Sequence, residues 1–194
     1  VAVRCSDEIF KQLSQNYLKF RNTAKFCLDN LVGFDADHLV EPADMLPLDK
    51  WAVTRLNDLL TKAYTAYDNY EFHVVSHMIN DFCVVDLSSF YFDILKDRLY
   101  CADEHARRCA QTALYRILVD FTKLVAPILC FTAQEIWSYI PKLEGMQEYV
   151  CWERMPEAKS DEDAAFDAKW AKIIAVRDDV KKVLEQARAE KVIG

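Results

Sequence analysis

Apolar residues recur around the whole 3.6-residue period between Val74 and Leu95. One stripe runs Val75, Met78, Phe82, Val85 and Phe92; another runs Ile79, Cys83, Leu87, Phe90 and Ile94. A helix that is apolar all round is enclosed by protein, so the pattern predicts a central, most buried helix over 74–95. Its acids, Asp86, Asp93 and Asp97, fall on one face. Carboxylates in an apolar setting need donors. Lys96, Arg98, Arg107 and Arg108 are the nearest in sequence, which predicts an ion-pair seam between helices rather than a catalytic site.

Four more helices surround that centre in the pattern, with a shorter one late in the chain. Ser6 caps a first helix whose buried face is expected to run Ile9, Leu13, Tyr17, Phe20, Ala24, Cys27, Leu28 and Leu31, with Gly33 beyond its end. Residues 34–48, with Pro42 and Pro47, read as a loop. A second helix starts near Asp49 and turns Ala52, Leu56, Leu59, Leu60, Ala63, Tyr67 and Tyr70 inward. Asp103 caps the next, which carries Ala110, Leu114, Ile117, Phe121 and Leu124 to Pro127. Thr132-Ala-Gln-Glu135 has the form of a capping box for the short helix ending at Pro141. Residues 142–162 are polar and irregular, with Tyr149–Trp152 expected as an extended strip. A last long helix is spaced by Phe166, Trp170, Ile173, Val176, Val180, Leu184 and Ala187. The expected fold is therefore all-α, an antiparallel helical bundle over 1–141. Residues 142–194 add the irregular strip and a C-terminal helix packing on or extending from it.

Composition supports this reading and sharpens one difficulty. Hydrophobic residues make up 52% of the 194, with three Gly and five Pro, which favours long elements over frequent turns. The formal charge of −7 is opposite in sign to the usual footprint of a nucleic-acid binder, so any RNA site must be local. The first helix offers one. Between Ile9 and Leu28 its charges are Lys11, Lys19, Arg21 and Lys25, all positive. Lys19, Asn22, Lys25 and Phe26 lie off the core face with Arg21 at its border. Cations suit phosphates, an amide suits a base edge, and a ring stacks on a splayed base. The alternative is a solvated face with Phe26 packed on a neighbouring helix.

Seven cysteines without Cys-x-x-Cys spacing indicate neither a disulfide framework nor a zinc site, and point to a reducing, cytoplasmic setting. His73 and His77, four apart, lack a third ligand nearby, so no metal site is expected. No signal peptide or membrane span is evident.

Several segments in order resemble the anticodon-binding helical domain of class I aminoacyl-tRNA synthetases, in particular the bacterial isoleucyl type. They are Arg21-Asn22-Thr23 with Phe26, Asn30-Leu31 and Phe34; Leu48-Asp-Lys-Trp-Ala52; and Tyr67 to His73. Further along come Leu87-Ser-Ser-Phe-Tyr-Phe-Asp-Ile-Leu-Lys-Asp-Arg-Leu-Tyr100, Arg107 to Tyr115, Ala126 to Trp137, and the run from Val176 to Gly194. Where that family usually carries a basic residue after the tyrosine, this chain has Leu18. The resemblance implies a helical bundle that grips the anticodon arm of isoleucine tRNA, with Lys19, Arg21, Asn22 and Lys25 as its RNA-binding residues. The His-x-Gly-His and Lys-Met-Ser-Lys-Ser motifs that hold ATP in such enzymes are absent. The chain is thus expected to be one domain of a larger isoleucine–tRNA ligase, monomeric and inactive alone, with no catalytic residue or cofactor of its own. Its partners would then be isoleucine tRNA and the catalytic and C-terminal domains of the parent enzyme, where ATP and zinc are expected. Two other readings stay open: a helical protein-interaction scaffold, or the same domain of a valyl or methionyl enzyme.

Overall fold

The fold is taken from a computed structural model that describes residues 5–159 and 163–193. It forms two compact units, Val1–Lys159 and Ser160–Gly194. The first holds α1 (Asp7–Asp29), α2 (Pro47–Asp68), α3 (Phe72–Asp81), α4 (Phe92–Cys101), α5 (Glu104–Val125) and α6 (Cys130–Tyr139). The second holds α7 (Ala164–Ala189). No strand occurs among the described residues, and the architecture is the expected all-α bundle.

Local signals set most helix starts as read. The Ile9 amide donates to Ser6 Oγ at 3.3 Å, and the Ala106 amide to Asp103 Oδ1 at 2.8 Å. Gly33 sits at φ 73°, the left-handed region a Cβ disfavours, in the turn that leaves α1. The capping box does not form. α6 begins earlier, at Cys130, and Thr132 instead shares a 3.2 Å hydrogen bond with the Tyr17 hydroxyl on α1.

The central segment is helical from Phe72 to Cys101, but its middle, Phe82–Tyr91, is wound as π-helix. The Phe92 amide accordingly bonds the Leu87 carbonyl, and Ser89 Oγ the Val84 carbonyl at 2.7 Å, each five residues back. Wider winding shifts the stripes. Val85, expected inside, is 60% exposed, whereas Tyr91 is fully buried. Phe82, Cys83, Leu87, Phe90 and Leu95 are buried as expected. The most enclosed element is nevertheless α5, which buries most of its residues from Cys109 to Val125 between α2, α4 and α6.

The expected ion-pair seam is also redrawn. Asp86 pairs with Arg55 of α2 at 3.2 Å, not with the basic residues near it in sequence. Asp97 is exposed, as is Asp93. Arg98 reaches Asp49, which is fully buried at the start of α2. Its Nη2 donates to Asp49 Oδ2 at 2.7 Å and its Nη1 to Oδ1 at 3.1 Å, while the Tyr91 hydroxyl donates to Oδ1 at 2.7 Å. Arg108 and Arg116 hold the loop after α1 instead, donating to the His38 and Val40 carbonyls at 3.4 Å.

Three expected core residues of α1, Ile9, Leu13 and Tyr17, are exposed; the helix is buried only from Phe20 onward. Tyr70 is 80% exposed at φ 59°, ending α2, while Tyr67 donates its hydroxyl to the Leu124 carbonyl at 2.8 Å. Residues 142–159 belong to the first unit and lie against its helices. Trp137 Nε1 donates to the Gln147 carbonyl at 3.0 Å, Lys123 pairs with Glu153 at 2.9 Å, and the Tyr64 hydroxyl reaches the Pro156 carbonyl. Val150–Trp152 is a 3₁₀ turn rather than an extended strip, seated by the burial of Val150. In the second unit α7 runs its expected length with none of its residues buried.

Beside this strip, burial pushes the Asp120 carboxyl up to about 6, against the opposing pull of Lys123, Lys159 and Arg116. In the unfolded chain it would titrate near ~3.9. The native state therefore holds this proton more tightly, so the group favours folding below about pH 4, and that contribution is lost as pH rises through about 6. Asp120→Asn is expected to raise the thermal midpoint at pH 7.5 and to give a gain that shrinks toward nothing at pH 4. A lower midpoint at pH 7.5 would show that the three cations outweigh desolvation.

Candidate nucleic-acid interface

Helical winding decides which predicted RNA residues share a surface. Lys19, Arg21, Asn22 and Lys25 are all exposed along the middle of α1, opposite the strip formed by Phe20, Thr23, Ala24 and Cys27. At 100° per residue Arg21 and Lys25 stand together, Lys19 and Asn22 together, and the two pairs flank the outermost line. Lys25 Nζ lies 2.6 Å from Asp29 Oδ2, an i,i+4 pair whose side chains are 65% and 59% exposed. Such a surface pair is worth little and gives way readily to a stronger anion.

Phe26 does not join this face. Its ring stacks on Phe92 at 4.2 Å and 21°, closing α1 onto the central helix, so the first of its two alternatives, a platform for bases, is replaced by packing.

An aromatic of the other kind is supplied from far along the chain. α6 crosses beside α1, tied by the Tyr17–Thr132 hydrogen bond, and a groove of about 410 Å³ opens between them. Arg21, Lys25 and Asp29 line it from α1, and Thr132, Glu135, Ile136 and Tyr139 from α6, while Lys19 and Asn22 stand outside. Ala24 and Ile136 make its floor, and Tyr139 keeps 69% of its surface exposed at the mouth. Sequence reading missed Tyr139: it lies inside the predicted short helix, where nothing local sets its ring apart from the helix's other aromatics. Its nearness to Arg21 across more than a hundred residues has no local signature.

The reserve cations sort differently. Arg107 is exposed and lines a small polar cleft with Arg108, Glu104, Asp35 and Gln111. Asp35 there accepts from His38 at 2.5 Å, and that bond holds its carboxyl below the usual range. Arg116 is engaged by the loop, as above. His73 and His77 line a separate, mostly apolar groove of about 600 Å³ between α1, α3 and the α5–α6 turn. Among the described residues no three potential metal ligands converge, and no helix is long and apolar enough to cross a membrane.

What the α1 surface offers chemically is three cations, an amide and an adjoining apolar groove with an exposed ring. That set suits a phosphate backbone with unstacked bases. Residues 49–194 match the family described as the anticodon-binding domain of tRNA ligase. The chain is 46% identical over 195 residues to an isoleucine–tRNA ligase of Syntrophotalea carbinolica, and 48% identical over 196 residues to that of Bacillus mycoides. Each match covers 99% of this chain and 21% of the relative's length, so the chain spans about a fifth of those enzymes. With the helical bundle in place and three quarters of its length matched, the chain belongs to the anticodon-binding domain family of tRNA ligases.

Proposed function

We propose that this chain binds the anticodon arm of isoleucine tRNA, as one domain of an enzyme that joins isoleucine to that tRNA with ATP in the cytoplasm. The observation that carries the reading is local positive charge on an acidic protein. Lys19, Arg21 and Lys25 are exposed on one helix, with Asn22 between them, in a chain of formal charge −7. The isoleucine–tRNA ligase relatives at 46–48% identity support the choice of tRNA. In this reading Lys19, Arg21 and Lys25 meet phosphates and fix register, and Asn22 addresses a base edge or sugar. Adenylation and transfer belong to other parts of the parent enzyme, as do ATP and zinc, and this chain acts as a monomeric unit within it.

Binding of an isoleucine tRNA transcript followed by fluorescence anisotropy from 25 to 200 mM salt tests this. The expected result is a linear fall of log affinity with log salt and a preference over a valine or methionine tRNA transcript. Equal affinity for all three would remove the isoleucine assignment. No binding at any salt would favour a protein-interaction scaffold.

A further inference from the structure

We propose that the groove between α1 and α6 seats one unstacked nucleobase, with the Tyr139 ring as its stacking surface. This rests on the RNA reading above and adds a pocket to it. Its volume of about 410 Å³ accommodates a base with part of its sugar. Its floor, Ala24 and Ile136, is buried and apolar, which suits the face of a ring and not a phosphate. Charge makes the same distinction. Inside the groove Arg21 and Lys25 are offset by Asp29 and Glu135, so its interior carries no formal net charge and suits a neutral base, leaving the two cations to meet phosphates at its rim. Along α1, by contrast, Lys19 and Asn22 continue the polar track outside the groove, where the backbone on either side of a splayed base would run.

Among the described residues none gives Tyr139 a hydrogen bond or a ring contact. It is the last residue of α6 and 69% exposed, so its ring pays the cost of wetting an aromatic surface beside two cations. Stacking a base on it removes that surface from water, and every base has a face to offer. Glu135 on the wall accepts hydrogen bonds only, so it favours a base edge bearing N–H groups.

The test uses the intact chain with Tyr139→Ala, Tyr139→Leu and Tyr139→Phe, titrated against the isoleucine tRNA transcript across a salt series. Tyr139→Ala is expected to weaken binding by roughly 5- to 140-fold, the range for one lost stack. The salt slope should stay unchanged, because no phosphate contact is lost. Tyr139→Phe should stay within about twofold of the parent, and Tyr139→Leu, similar in bulk but without a π-face, should fall with alanine. Circular dichroism of each variant guards against misfolding, and the leucine variant keeps the test available if alanine disturbs α6. Unchanged affinity in Tyr139→Ala overturns the pocket, and so does a loss accompanied by a shallower slope. If the pocket fails while alanine at Lys19, Arg21 and Lys25 still weakens binding, the RNA reading survives alone. Absence of tRNA binding by the parent chain overturns both.

Discussion

Asp49→Ala is expected to cost about 3–5 kcal/mol of folding stability, the range for removing one partner of a buried ion pair. Asp49 is fully buried, and its two oxygens take hydrogen bonds from both Arg98 terminal nitrogens and from the Tyr91 hydroxyl. Alanine orphans both donors at once. The Arg98 guanidinium, 18% exposed, would keep only the Ala106 carbonyl at 3.0 Å. Tyr91 would lose its acceptor at a site where burial, then the charge of Asp49, already hold its hydroxyl firmly protonated. The group also fastens three elements, α2, the π segment and α4, so its loss should lower the urea midpoint without changing the slope of the transition. Asp49→Asn keeps one acceptor oxygen and should cost less. A loss below about 1 kcal/mol in Asp49→Ala would mean that water replaces the carboxylate, and that the pair is nearly neutral against its desolvation.

That carboxylate shows where sequence reading ends. Periodicity found the helices and most of the core: Leu56, Leu60 and Ala63 on α2, and Phe82, Cys83 and Leu87 in the centre, are all buried. These follow from local pattern, because each helix must put one face inward to bury it. Charge partners do not follow. Asp49 and Arg98 are 49 positions apart, and Asp86 and Arg55 are 31 apart, so the nearest cations in sequence were the wrong ones. The π winding broke the period itself. An i→i+5 segment advances each stripe, which moved Val85 out and Tyr91 in, and no residue type announces it. Ile9, Leu13 and Tyr17 mark another limit: their spacing reads as core, yet the bundle as described leaves them exposed.

The candidate site was half legible for the same reason. Lys19, Arg21, Asn22 and Lys25 share one helix, so their common exposure follows from spacing alone. Phe26 was placed on that surface as one of two alternatives, and its stack on Phe92 decided for packing. Tyr139 and Glu135 belong to a helix that tertiary packing alone brings alongside.

The triple variant Lys19→Ala, Arg21→Ala, Lys25→Ala is expected to abolish most tRNA affinity while leaving the fold intact. All three side chains are exposed, and the one ion pair lost, Lys25–Asp29, is a surface pair of little worth. Each cation that neutralises a phosphate contributes ~0.7–0.9 to the slope of log affinity against log salt. Losing three should therefore make the slope shallower by roughly 2–2.7. The affinity deficit should be largest at 25 mM salt and narrow as salt rises, because each counterion released gains less entropy in more concentrated salt. Asn22→Ala should behave differently, leaving the slope as it was while reducing the preference for isoleucine tRNA over a non-cognate one. The contrast separates the two roles on one helix, since a general loss of structure would move both readouts together. If the triple variant keeps the parent's affinity and slope, the phosphate track does not run along α1. The exposed Arg107, beside Arg108 in its polar cleft, then becomes the next surface to alter.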